Sequence, residues 1–204
     1  IKINLIVNLT IKTLLYLFNF LEKVNTFFLR IGRQFAWIAI FLMVVVIMIQ
    51  VFFRYVLNSA LPWPDEVARF LMLWMTGLIA PSAYRWGGFV SIDMLERFLP
   101  KIISTLLTLF LLIVSLFVLI IGLELGLKHI NAGWIFSSAS IKIPFNLIGG
   151  KAEPIKLAWM YMSLPVGIVF LISVNIELIL RNFLSNFTKL ELPEDLDKQK
   201  LETQ

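Results

Sequence analysis

Cysteine is absent from all 204 residues, so disulfides, iron–sulfur clusters and thiolate zinc sites are excluded. Histidine occurs once, as His129, which rules out a multi-histidine metal site or a bis-histidine haem within the chain. Charge is scarce as well: Asp, Glu, Lys and Arg make up 15% of residues against 59% hydrophobic ones, and the mean hydropathy is +0.88. With 18 Phe and 6 Trp among them, these apolar residues are too many for one soluble core of this length. The same composition excludes disorder. The net charge of +5 does not mark a nucleic-acid binder, because the basic residues are scattered between apolar runs and form no stripe. The glycine pairs Gly87-Gly88 and Gly149-Gly150 belong to no GxGxxG or Walker pattern. What remains is a membrane protein whose few charges report topology.

A hydrocarbon core of about 30 Å takes about 20 apolar residues in a helix. Four stretches meet that test or come close: 34–53, 67–84, 102–123 and 157–176. The first carries only Gln34 and Gln50 as strongly polar groups, and Gln50 is placed to hydrogen-bond a neighbouring helix or its own backbone. The second opens with Pro64 at the first helical position and Asp65 and Glu66 at the positive end of the dipole. Arg69 lies four and three residues beyond those acids, a spacing that predicts a local ion pair. Pro100 and Pro154 are expected to open the third and fourth spans in the same way, and Pro165 just before Gly167 predicts a kink in the fourth.

Residues 1–30 carry Asn4, Asn8, Lys12, Asn19, Lys23, Thr26 and Arg30 at helical steps amid Leu, Ile and Phe. One polar stripe of this kind predicts an amphipathic interfacial helix that then turns into the first span. No small-residue cleavage site follows it, which argues against a secretory signal peptide. Residues 31–180 form the four-helix membrane domain on this reading, and 181–204 a polar cytoplasmic tail. Twelve of the 18 Lys and Arg fall in the N-terminal segment, the second connection and the tail, so both termini are expected in the cytoplasm. The expected fold is therefore an all-α integral membrane protein of four transmembrane helices.

Arg54 and Arg85, at span ends, read as headgroup anchors, and His129 as a solvated loop residue. Glu124 has Lys128 at i+4 as its own partner. Asp93, Glu96 and Arg97 form the compact polar group that an integral-membrane enzyme would have to use. No nucleophile with a base, no set of acids for a metal and no polar pore face accompanies them, so no catalytic, metal or cofactor residue is assigned.

The stretch FFRYVLNSALPWPDEVARFLMLWMTGLIAPSAYRWGGFVSIDMLERFLP, residues 52–100, is more specific. Phe53-Arg54-Tyr55 ends the first span, and Trp63 precedes Asp65-Glu66. Arg69, Trp74 and Gly77 follow, then Arg85, Gly88, Asp93 and Leu99-Pro100. Together they resemble the DctQ-type small membrane subunit of the tripartite ATP-independent periplasmic (TRAP) transporters, and Pro165-Val166-Gly167 in the fourth span is similar too. Two departures stand out: Phe89 replaces a histidine common in the family, and the third connection, 128–156, is longer than usual.

The resemblance implies a scaffold subunit in the bacterial inner membrane, partnered by a large multi-span transport subunit, a periplasmic substrate-binding protein and membrane lipids, with no nucleic acid. It implies uptake of a small organic acid driven by an ion gradient, usually sodium. Arg54, Trp63, Asp65, Glu66, Arg69 and Trp74 are then candidates for partner docking, with Arg85 and Asp93 in the cytoplasmic loop and no substrate site in this chain. An integral-membrane enzyme, or a structural subunit of another membrane complex, is the alternative.

Overall fold

The computed structural model describes residues 2–87, 100–143 and 153–188. Helix α1 (Lys2–Tyr55) is followed by α2 (Trp63–Arg85) and α3 (Lys101–Gly133), then strands β1 (Ser137–Ile143) and β2 (Glu153–Lys156), the short α4 (Ala158–Tyr161) and α5 (Ser163–Thr188). Among the described residues four helical segments are long and apolar enough to cross a membrane: Ile11–Tyr55, Trp63–Arg85, Ile102–Gly133 and Ala158–Ser185.

Several boundaries differ from those expected. Helix α1 runs unbroken through 54 residues, so no turn separates the amphipathic segment from the first span. It stops at Tyr55, ahead of Asn58, which adopts a φ of 48°, a left-handed conformation that asparagine tolerates. Helix α3 continues past residue 123 to Gly133 and takes His129 out of any loop; its ring lies 4.3 Å from that of Tyr161. Pro154 opens no helix, but sits in β2 opposite Lys142 in an antiparallel two-stranded ribbon, where a proline costs little because one strand edge is unpaired. The helical break expected at Pro165 falls at Met162, between α4 and α5. Pro165 has no N–H to give the carbonyl of Tyr161, which ends one helix and lets the next begin with proline in its first turn.

The described residues fall into two compact units. One takes its residues from Ile1–Arg30, Pro81–Ile120 and Phe170–Gln204. There the inward face of α1 presents Phe18, Glu22, Asn25 and Leu29, all buried at helical spacing, and the rings of Phe28 and Phe170 lie 5.8 Å apart.

The other unit takes its residues from Ile31–Ala80 and Ile121–Val169. Its α2 and α5 backbones come close at two glycines. A Cβ built on Gly77 would lie 2.6 Å from the Ser163 carbonyl oxygen, and one on Gly167 would lie 2.7 Å from the Gly77 carbonyl oxygen. That Gly77 carbonyl lacks its usual helical donor, because the residue four positions on is Pro81. The exposed oxygen and the bare Cα of Gly167 thus fit one another.

Candidate functional site

The first polar constellation lies in the unit formed from Ile1–Arg30, Pro81–Ile120 and Phe170–Gln204. Arg85 ends α2 and donates from Nε and Nη2 to Glu177 Oε1 at 3.1 and 2.7 Å. Its Nη1 donates to Thr26 Oγ1 at 2.8 Å. Asn25 Nδ2 donates to the other carboxylate oxygen of Glu177 at 2.6 Å, and Ser173 Oγ donates to Asn25 Oδ1 at 2.6 Å. The side chains of the ion pair are each 1% exposed. Beside them the Asn175 amide donates to the Tyr84 hydroxyl at 2.5 Å, and that hydroxyl lies 3.3 Å from Ser115 Oγ. Such a cluster cancels one buried positive charge with one negative charge and spreads both over neutral donors and acceptors, the condition under which buried charge is tolerated.

The second constellation lies in the other unit, around the start of α2. Glu66 Oε2 accepts from the Ser138 hydroxyl and, at 3.3 Å, from the Ser140 backbone N–H. Ser138 Oγ in turn accepts from the Ile141 N–H at 2.8 Å. One carboxylate thereby fastens β1 to α2. Asp65 accepts from Gln50 Nε2 at 2.8 Å, and Trp74 Nε1 donates to the Trp159 carbonyl oxygen at 3.1 Å. Glu124 pairs with Lys128 at 2.7 Å on the exposed side of α3, as their spacing predicts. Among the described residues no three His, Asp or Glu side chains converge as a metal centre would need.

The family described as tripartite ATP-independent periplasmic transporters, DctQ component, matches residues 43–185, more than two thirds of the chain. The chain belongs to the DctQ family. Among curated proteins none matches it. DctQ proteins are the small membrane components of TRAP transporters, beside DctM- and DctP-type partners, and the family is one of transporter components rather than enzymes. Four apolar helices agree with that membrane assignment.

Within the DctQ match the structure distributes the sequence-derived residues unevenly. Arg54 is exposed, its guanidinium 5.9 Å from the centre of the Tyr55 ring. Trp63 and Trp74 are half-buried, while Asp65 and Arg69 are exposed. The ion pair expected of Arg69 with Asp65 and Glu66 does not form: Gln50 engages one acid and the hairpin the other, and Arg69 makes no hydrogen bond or ion pair with the described residues. Arg85 is no headgroup anchor, since Glu177 and Thr26 hold it in the interior. Asp93 lies outside the described residues, as do Glu96 and Arg97, the glycine pair at 149–150 and the tail beyond 188. Sequence reasoning missed Glu177, Asn25, Ser173 and Asn175. The available signal was Glu177 itself, a lone acid at the end of the long uncharged run of the fourth span.

Proposed function

We propose that this DctQ subunit is the fixed scaffold of a secondary transporter that takes up a small organic acid across a bacterial inner membrane, driven by an ion gradient, usually sodium. The family match carries the reading. Two features support the passive role. The buried guanidinium of Arg85 is met by the carboxylate of Glu177, which Asn25 also engages, so this pair is spent on structure. The most apolar stretches of α1 and α3 are only 11% and 6% buried within the chain, against 39% for the last span, so broad apolar faces are free for lipid and a larger partner. The exposed Arg54 and Asp65 and the half-buried Trp63 are the docking candidates at the α1 to α2 connection.

Purification in mild detergent is expected to bring down one much larger multi-span protein in a one-to-one ratio. An Arg54→Ala, Asp65→Ala chain is expected to lower that yield. A wild-type subunit that stays monomeric in native membranes while the large subunit transports alone would remove the scaffold reading.

On the same proposal both termini are cytoplasmic and the hairpin is periplasmic. The native chain has no cysteine, so single cysteines report cleanly. Position 142 is expected to react with an impermeant thiol reagent added outside, and positions 97 and 189 only after the membrane is opened. Labelling of 142 solely from the inside reverses the topology.

A further inference from the structure

Beside the start of α2, within one compact unit, lies a cleft of about 290 Å³. Its charged lining is Glu66, Arg69 and Lys156, Ser138 and Tyr161 add hydroxyls, and its apolar walls include Phe70, Leu73 and Met160. The two cations are exposed, and neither makes a hydrogen bond or ion pair with the described residues. Glu66 spends only Oε2 on the hairpin, which leaves Oε1 without a hydrogen bond among the described residues. Polarity is graded along α2: Glu66 and Arg69 occupy its first two turns, and Leu73 stands one turn deeper into the span. The cleft therefore shows two positive groups and one negative group at the end of a membrane-spanning helix, with apolar surface leading away from them.

We propose that this cleft holds the headgroup of one glycerophospholipid of the phosphoethanolamine class, its phosphodiester taken by Arg69 and Lys156 and its ammonium by Glu66 Oε1. The volume lies at the lower edge of the roughly 300–1,000 Å³ typical of small-molecule sites, enough for a headgroup and not for a whole lipid. The acyl chains run on past Phe70 and Leu73 into the bilayer. Charge selects this headgroup in both of its parts. A phosphoglycerol headgroup offers Glu66 Oε1 only a neutral hydroxyl, and a quaternary choline headgroup has no N–H to donate to the carboxylate.

The test uses the full chain in detergent, with the thermal midpoint and lipid adducts in native mass spectrometry read against added dioleoyl phosphatidylethanolamine, phosphatidylcholine, phosphatidylglycerol or free O-phosphoethanolamine. Phosphatidylethanolamine is expected to raise the midpoint and persist as a single adduct at about a tenth of the concentration the other two lipids need. Arg69→Gln and Lys156→Gln are each expected to weaken it by about tenfold, the loss of one charge-assisted contact. Glu66→Gln is expected to erase the preference for phosphatidylethanolamine over phosphatidylcholine. If that variant loosens the hairpin and fails to purify, the two cation variants, both at exposed positions, still decide the matter. Equal binding of phosphatidylcholine, unchanged binding in both cation variants, or free O-phosphoethanolamine acting as well as the lipid would each overturn the proposal, the last by making the cleft a site for a soluble phosphate.

Discussion

An Arg85→Ala chain is expected to lose about 3–5 kcal/mol of stability, because the substitution strands a buried carboxylate rather than deleting one contact. Glu177 receives two of the guanidinium's hydrogen bonds and keeps only Asn25 when Arg85 is gone. At 1% exposure, water cannot replace the missing donors. Glu177→Ala is expected to destabilise the chain as well, because it removes the carboxylate that takes two hydrogen bonds from the buried guanidinium. A loss of that size is a large share of the roughly 5–15 kcal/mol that holds a typical domain together. The double replacement Arg85→Met, Glu177→Leu removes both charges, keeps most of the volume, and is expected to recover much of the loss. Thermal midpoints and monodisperse yield in detergent give the cycle. Single variants that melt with the wild type would show the pair to be energetically idle.

The second large effect is expected at the α2 to α5 crossing. Gly77→Ala pushes a methyl group to 2.6 Å from the Ser163 carbonyl oxygen, and Gly167→Ala pushes one to 2.7 Å from the Gly77 carbonyl oxygen. Both obstacles are backbone atoms, which cannot rotate aside as a side chain would, so the helices must separate. Each replacement is expected to cost about 1–3 kcal/mol, and valine more. Because one separation relieves both clashes, the double variant is expected to fall short of the sum. Gly122→Ala is the control. Its methyl group meets only the end of the Ile168 side chain at 3.5 Å, and alanine favours helix over glycine by up to about 1 kcal/mol, so no destabilisation is expected. Thermal unfolding of the three single variants in one detergent checks the order, and a Gly77→Ala chain as stable as wild type would refute the close approach.

Much of this architecture was legible in the chain because its signals are local. Twenty uncharged residues between Arg33 and Arg54 announce a span without any knowledge of neighbours, and Pro64 with Asp65 and Glu66 marks a helix start. The unbroken course of α1 was harder to read. A polar stripe gives the face of a helix, but not whether the helix bends where the stripe ends; in the fold α1 runs on unbroken, and a Cβ on its Gly32 would lie 3.3 Å from the Leu78 carbonyl oxygen. The polar residues failed for a related reason. Arg69 suits Asp65 and Glu66 by spacing, yet the donors that engage Glu66 come from Ser138 and Ser140, 72 and 74 residues away. The hairpin that delivers them was visible only as a long connection. Arg85 at a span end has the sequence signature of a headgroup anchor, and only the three-dimensional return of α5 turns it into one half of a buried pair.

That pair also imposes an order on biosynthesis. Arg85 and Glu177 are 92 residues apart, so at a synthesis rate of about 5–20 residues per second the cation precedes its acid by roughly 5–20 s. Through that interval the guanidinium has Thr26 of α1 within the chain already made, but not the Glu177 carboxylate. The arrival of α5 supplies the carboxylate. A nascent chain cut short before α5 thus lacks the carboxylate that the finished subunit gives Arg85.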